Sequence, residues 1–370
     1  MSAYFLRRLL LVIPTFLGVT IIVFTITRLV PGGPLERAIM RMRMAAAAGE
    51  GGSGGKSIVD PTETMSDAAL NEMKKAYDMD KPGYVAYWIW LKKLATLNLG
   101  ESYQYHTPVW TMISQRFPIS LTFGLTGFVL AYLVSVPLGI IKALRHGSGF
   151  DFASSAIVFV GYSIPGWALG SLLLVFLASG TFADVFPLGD VKTHSYADLP
   201  AAVKSIDARS EVVDEIGIFQ WDKLSPMSKL LDRAYHMILP VFCYMMASFA
   251  ALTILTKNSL MDNLGQDYVR TAFAKGLSPR RVVLVHTLRN SLIPLATGLG
   301  HALSVLMAGS YLIEFVFNID GIGYLGLTSI LNRDYTVVLG ILVINTLLVL
   351  FGNIFSDVLY AIIDPRIRFQ

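Results

Sequence analysis

The 370-residue sequence has one cysteine, Cys243, so the chain can form no internal disulfide and its loops hold by packing alone. Charge is also scarce. Asp, Glu, Lys and Arg make up 15% of the residues and the net charge is +4, which gives a nucleic-acid partner no support. The histidines, His106, His146, His194, His236, His286 and His301, show no metal-ligand spacing with one another or with Cys243. The scattered Ser and His residues supply no nucleophile and base, so an intramembrane enzyme would lack its chemistry. The long apolar runs hold no Asp, Glu, Lys or Arg in their central stretches. Proton- or sodium-driven carriers usually need such groups at mid-depth, and their absence argues for energy supplied from outside the membrane.

What is abundant is apolar. The sequence is 54% hydrophobic with a mean hydropathy of +0.57, the composition of a polytopic membrane protein. Six runs approach the roughly 20 residues that cross a bilayer core: Leu9 to Thr27, Ile119 to Ile141, Phe152 to Ala178, Met237 to Thr256, Leu292 to Ile313 and Val337 to Ile354. Only helices satisfy their own backbone in lipid at these lengths, so the expected class is all-α with six transmembrane helices. Excess Lys and Arg occur at Arg7 and Arg8, at Lys142 and Arg145, between residues 257 and 290, and at Arg366 and Arg368. With alternating spans these four places share one side, which the positive-inside rule makes the cytoplasm, and both termini fall there. The first span has no small-residue cleavage pattern and reads as a retained helix.

The basic stretch from Tyr268 to Pro294 interrupts the apolar pattern. It reads as two short helices and a tight turn. Gly276 can take the left-handed conformation that ends a helix, Lys275 suits its last turn, and Ser278-Pro279 forms a cap and first-turn pair for the next. Val269, Ala272, Phe273 and Ala274 can form an apolar stripe, while Arg270, Lys275, Arg280 and Arg281 make the remaining surface cationic. Elsewhere, Gly49 to Ser57 mimics a phosphate-binding loop but puts Glu50 where its first glycine is needed, so it is not read as a nucleotide site. The same glycine stretch reads as a linker, and Met65 to Met79 has amphipathic helical spacing.

The pattern Asp267-Tyr268-Val269-Arg270-Thr271-Ala272, then Ala274-Lys275-Gly276-Leu277-Ser278, Arg289-Asn290 and Pro294, resembles the coupling-loop signature of ABC importer permeases of the oligopeptide and dipeptide class. Further matches lie in order along the chain. They are Arg7-Arg8-Leu9 through Pro14, Pro31-Gly32-Gly33-Pro34, Ile313 to Phe317, Asp320 to Gly323, Arg333-Asp334-Tyr335 with Gly340, Asp357 to Ala361 and Asp364-Pro365-Arg366. Three positions in two motifs depart from the pattern. The Glu-Ala-Ala of importers in general is Arg270-Thr271-Ala272 here, as in the peptide subclass, and a usual proline is Thr336.

The resemblance implies a type I importer permease fold of the bacterial inner membrane, with Tyr268, Arg270, Thr271, Ala272, Lys275, Gly276, Ser278, Pro279, Arg280 and Arg281 serving ATPase coupling. It implies a second homologous permease, two ABC ATPase domains carrying ATP and magnesium, an extracytoplasmic substrate-binding protein and a peptide substrate. No cofactor or metal is expected in this chain. Expected segments are a first helix over 1–34, an extracytoplasmic insertion over 35–117, a core over 118–363 and a cytoplasmic tail over 364–370. The core includes a second insertion over 180–235, with nine acidic and six basic residues, and the coupling loop over 257–290. The size of the insertions resembles the branch importing microcin C and oligopeptides, and the second reads as a solvated cap or a docking surface. Tyr162, Ser163, Pro165 and His301 are candidates for the translocation path, with helix packing as the plainer role for each. A stand-alone secondary transporter or channel is the alternative.

Overall fold

A computed structural model describes residues 2–29, 80–214, 216–295 and 311–363. The principal helices are α1 (Ser2–Leu29), α2 (Gly83–Ala95), α3 (Val109–Leu144), α4 (Gly149–Ser163), α5 (Gly166–Leu177), α6 (Pro226–Leu264), α7 (Asp267–Ala274), α8 (Tyr311–Val316), α9 (Ile322–Leu331) and α10 (Tyr335–Ile363). Among the described residues, the only extended pairings are two isolated bridges, Glu101 with Pro108 and Val213 with Phe219. The all-α expectation is met there.

Among the described residues three helices, α1, α3 and α10, are long and apolar enough to cross a membrane, and up to five spans result if each of two bent pairs counts as one. α1 is apolar on nearly every side, with Leu10, Ile13 and Ile22 all more than half exposed, as suits a helix facing lipid. Thr15 and Thr25 return their hydroxyls to the carbonyl four residues back, to Leu11 at 2.8 Å and to Ile21 at 2.7 Å, so neither hydroxyl is left unsatisfied in an apolar setting.

The third expected span is not one helix. α4 and α5 meet at 94°, because Ile164 is extended (φ −98°, ψ 118°) and Pro165 follows it. A residue before proline is pushed out of the helical region, and Pro165, itself non-helical (φ −57°, ψ 136°), immediately precedes the first residue of α5, Gly166. Pro137 in α3, by contrast, leaves the helix intact from Val109 to Leu144. In α6 the halves Pro226–Met246 and Ser248–Leu264 meet at 48°. Most of the fifth expected span, including His301, lies outside the described residues, as do Gly49 to Ser57, Met65 to Met79 and the tail over 364–370.

The chain divides into a larger unit, Met1–Leu6, Arg116–Leu325 and Leu348–Gln370, and a smaller one, Arg7–Gln115 and Gly326–Leu347. The larger unit is centred on Phe123, Leu239, Val241, Cys243, Ile313, Phe317 and Ile319. Beside this core Glu314 is completely buried and accepts the Ser120 hydroxyl at 2.8 Å and the Tyr324 N–H at 2.9 Å. A buried carboxylate is tolerated only with such donors.

Residues 180–235 of the same unit fold around a small core of their own, Leu199, Val203, Val212 and Leu224. The expectation of a solvated acidic surface is therefore incomplete, since Asp207 and Asp232 are buried within it. Asp232 accepts the Thr193 N–H at 3.0 Å and the Trp221 indole N–H at 2.8 Å. Asp207 accepts the Ser225 N–H at 3.0 Å, and the Ser228 hydroxyl contributes most to holding its carboxyl below the usual range. In the smaller unit, Asp334 accepts the Ser102 hydroxyl at 2.5 Å and ties the segment before α3 to the start of α10.

Candidate functional site

The basic stretch folds into a knuckle between the end of α6 and residue 291. α7 starts with Asp267, a favourable charge at the positive end of a helix. Val269 and Ala272 turn inward and pack with Leu264, Leu277 and Val282. The helix then ends as the glycine required. Gly276 has φ +78°, its N–H bonds the Phe273 carbonyl at 2.9 Å, and the Leu277 N–H reaches back to the Ala272 carbonyl at 3.3 Å. This is the paired-bond helix stop that depends on a left-handed residue, with Leu277 supplying its usual apolar contact.

Pro279 begins the next turn as expected, but Ser278 occupies the cap position without a side-chain hydrogen bond. The chain continues through a π-helical turn, Val282–Thr287, in which Thr287 donates to the carbonyl five residues back, Val282, at 3.1 Å. Ser259 of α6 donates to the Ser291 carbonyl at 2.8 Å, closing the two ends of the knuckle on each other.

The expected apolar stripe is split. Phe273 and Ala274 face outward with Tyr268, Arg270, Thr271, Lys275, Arg280 and Arg281, and the Phe273 side chain is 44% exposed. Leu284 and Val285 are also exposed. The outer face therefore combines four cations with an aromatic and aliphatic centre, suited to an acidic-rimmed apolar groove on a partner. Arg270 lies 3.5 Å from Asp267 in open solvent, a pair that contributes little to stability and leaves the guanidinium available.

Next to the knuckle sits a cluster that sequence reasoning missed. Lys257 of α6 donates to both oxygens of Asp151 at 2.8 Å, and Lys142 of α3 lies 3.2 Å from the same carboxylate. Lys142 is 1% exposed and donates to the Asp151 carbonyl, Ser154 and Ser155. One carboxylate thus fastens the ends of α3, α4 and α6 at the start of the knuckle. Lys142 and Asp151 flank one short turn, but Lys257 lies 106 residues from Asp151, and only the shared position at span ends hinted at a meeting.

Of the path candidates, Tyr162 and Ser163 end α4 and Pro165 precedes α5, all exposed at the 94° break. Ser163 donates to its own helix, to the Phe159 carbonyl at 2.9 Å. The structure brings these three together and does not place His301. Among the described residues no group of His, Cys, Asp and Glu is arranged to hold a metal ion.

Residues 135–369 match the family of binding-protein-dependent transport system inner membrane components. Over its whole length the chain is 36% identical to the inner membrane ABC transporter permease protein YejB of Escherichia coli O157:H7, with all of that protein covered. It is 33% identical to the peptidoglycan transport system permease protein YejB of Agrobacterium fabrum, covering 99% of it. The oligopeptide transport system permease protein AppB of Bacillus subtilis is 32% identical, with both chains fully covered.

Proposed function

Because the chain belongs to the family of binding-protein-dependent transport inner membrane components, we propose that it is the permease subunit of an ATP-driven importer of oligopeptides or peptide-like compounds. A chain of this family is an inner-membrane transport permease rather than an enzyme, and ATP is hydrolysed on partner subunits. The observation that carries the coupling role is the knuckle. Its inner face is packed, its turn is fixed by Gly276, and its outer face is cationic with Phe273 at the centre. One of the two ABC ATPase domains engages that face, the other serving the second permease, and closure of the pair on ATP drags the knuckle and with it α6.

The remaining assembly follows the same reading. A second homologous permease completes the pathway, and an extracytoplasmic binding protein delivers substrate to the side bearing residues 35–117 and 180–235. The basic span ends place the termini and the knuckle in the cytoplasm. Six spans cross the membrane, the fifth over 292–313 carrying His301, and the break at Tyr162, Ser163 and Pro165 borders the path. The substrate class is supported by the oligopeptide system of the Bacillus relative and the peptidoglycan system of the Agrobacterium relative. The length of the two insertions is what favours peptide-like cargo of the microcin C kind.

The test is purification of the tagged full chain in mild detergent, with mass spectrometry of what stays bound, followed by ATPase assays in liposomes. Near-stoichiometric recovery of a second permease and an ATPase, with hydrolysis stimulated by peptide-loaded binding protein, is expected. Recovery of the chain alone, with solute movement in the absence of nucleotide, would overturn the reading.

A further inference from the structure

The smaller unit contains two hollows that share Phe24 and Arg28 as a common wall. One, of about 430 Å³, is apolar, with Ile21, Thr25 and Leu29 of α1 lining it alongside Tyr84 and Tyr87 of α2. The other, of about 460 Å³, is mixed and more polar than the first: Arg28 and Lys93 bring positive charge, Glu101 a carboxylate, and Trp90 and Tyr335 aromatic walls. Tyr335 lines this second hollow with a buried hydroxyl that has no hydrogen-bond partner among the described residues. Buried hydroxyls without partners are rare and call for an explanation. His106, in the same wall, is held at φ +48°, a left-handed conformation that a residue with a Cβ adopts at a cost and that often marks a ligand clamp.

The setting is that of a membrane surface. α1 is an apolar run that ends at Arg28, and α2 carries Tyr84, Tyr87, Trp88 and Trp90 followed by Lys92 and Lys93. Aromatics beside lysines are the composition of the bilayer interface. Tyr84 and Trp88 are 78% and 57% exposed, so this aromatic surface remains uncovered. α2 is fixed to α1 by the Thr20 and Tyr87 hydroxyls at 2.9 Å and by the edge-on Phe24 and Tyr87 rings at 5.4 Å.

We propose that the paired hollows form a binding site for one glycerophospholipid with an amine headgroup. An acyl chain lies along Ile21, Thr25 and Tyr84, the phosphate rests against Arg28 and Lys93, the ammonium faces Glu101, and a lipid oxygen accepts from the Tyr335 hydroxyl. Lipid is favoured over peptide by the apolar hollow. It opens on the exposed face of α1, so a chain enters it from the bilayer, whereas a peptide in the polar hollow would leave it empty.

The site stands or falls independently of the transport reading. The purified full chain, with the subunits it retains, is delipidated in detergent and titrated with phosphatidylethanolamine, phosphatidylglycerol and phosphatidylcholine of matched chains, read by native mass spectrometry. Phosphatidylethanolamine is expected to be retained most strongly. The double variant R28Q/K93Q should lower occupancy by both phosphatidylethanolamine and phosphatidylglycerol about tenfold. Glu101→Gln should abolish the preference between these two without loss of phosphatidylglycerol. Tyr335→Phe should reduce retention severalfold while leaving the melting temperature in lipid-free detergent unchanged or higher, which a merely structural hydroxyl would not do. Retention unaltered by Tyr335→Phe, or by R28Q/K93Q where that variant folds, would overturn the site. So would binding of a tripeptide, but not lipid, that the same variants abolish.

Discussion

Replacing Asp151 by Asn removes the one negative charge lying between two lysines that are 1% and 15% exposed. Breaking a buried ion pair from one side costs about 3–5 kcal/mol, because the remaining charge stays desolvated. The two lysines do not share that cost equally. Lys142 keeps the Asp151 carbonyl at 3.0 Å, Ser154 at 2.8 Å and Ser155 at 2.7 Å, whereas both acceptors shown for Lys257 are the lost carboxylate oxygens. Most of the loss therefore falls on Lys257. Adding Lys257→Met to Asp151→Asn should recover at least about 1 kcal/mol against the sum of the single variants, a coupling of the size expected for residues in contact. The assay is a double-mutant cycle from reversible SDS-induced unfolding in mixed micelles, followed by tryptophan fluorescence. A single-variant loss below about 0.5 kcal/mol, the range of an ordinary surface change, or strict additivity, would refute the clamp.

The other predictions concern the knuckle, the buried carboxylate and the cap. Gly276→Val should uncouple uptake from ATP hydrolysis at normal protein level, since nothing lies within 4 Å of an added Cβ and the penalty is conformational, about 1–3 kcal/mol; Gly276→Asn should retain coupling because asparagine tolerates positive φ, and equal activity of the two would refute the role. Phe273→Ala should weaken ATPase association measured by co-purification while changing unfolding stability by less than about 0.5 kcal/mol; a large loss of stability would place Phe273 in the packing instead. Gly321→Ala would put a methyl against the Glu314 carboxylate and the Ser120 hydroxyl, and should lower stability by about 1–3 kcal/mol in the same micelle titration. Asp207 titrates below its unfolded value of about 3.9, so its stabilisation is complete above that value and lost as pH falls through the lower folded one. Amide protection over residues 199–228, corrected for intrinsic exchange, should therefore drop as pH falls below about 5 in the native chain and depend on pH less in Asp207→Asn, the remainder coming from Asp214, which the Ile218 N–H also holds below its usual range.

The helical class and the knuckle were legible because local chemistry decides them. Gly276 is the residue that takes a left-handed turn without strain, and Pro279 can only begin a helix there, so the stop and the start could be placed from sequence. The split of the stripe could not. On an eight-residue helix, Val269, Ala272, Phe273 and Ala274 cover more than half the circumference, and only the positions of Leu264 and Val282 decide which part turns inward. A break near Pro165 was legible as a kink, but its 94° size was not, because the rule that moves Ile164 out of the helical region before a proline does not fix the angle that results. The Lys142–Asp151–Lys257 cluster needed three span ends to converge, and Asp151 and Lys257 are separated by 106 residues. Glu314 was overlooked for a related reason: it sits one residue past an apolar run, and its donors Ser120 and Tyr324 come from other helices.

A device that passes motion from a partner must do two things that oppose each other: present a complementary surface, and refuse to absorb the motion in its own flexibility. In the coupling role proposed for it, the knuckle is suited to both. Its outward side chains are held on a helix whose end is fixed by two backbone bonds and an apolar plug, so little ordering is needed when a partner docks. Its stiffness toward the membrane comes from elsewhere, from the Ser259 to Ser291 bond that closes its base and from the Asp151 clamp where α6 enters it. These elements are separable by mutation. On the proposed coupling role, loss of Phe273 should weaken docking and leave transmission intact, whereas loss of Asp151 should leave docking intact and let α6 move without α3 and α4. A push at the knuckle would then be dissipated at the clamp, and ATP would be hydrolysed without transport.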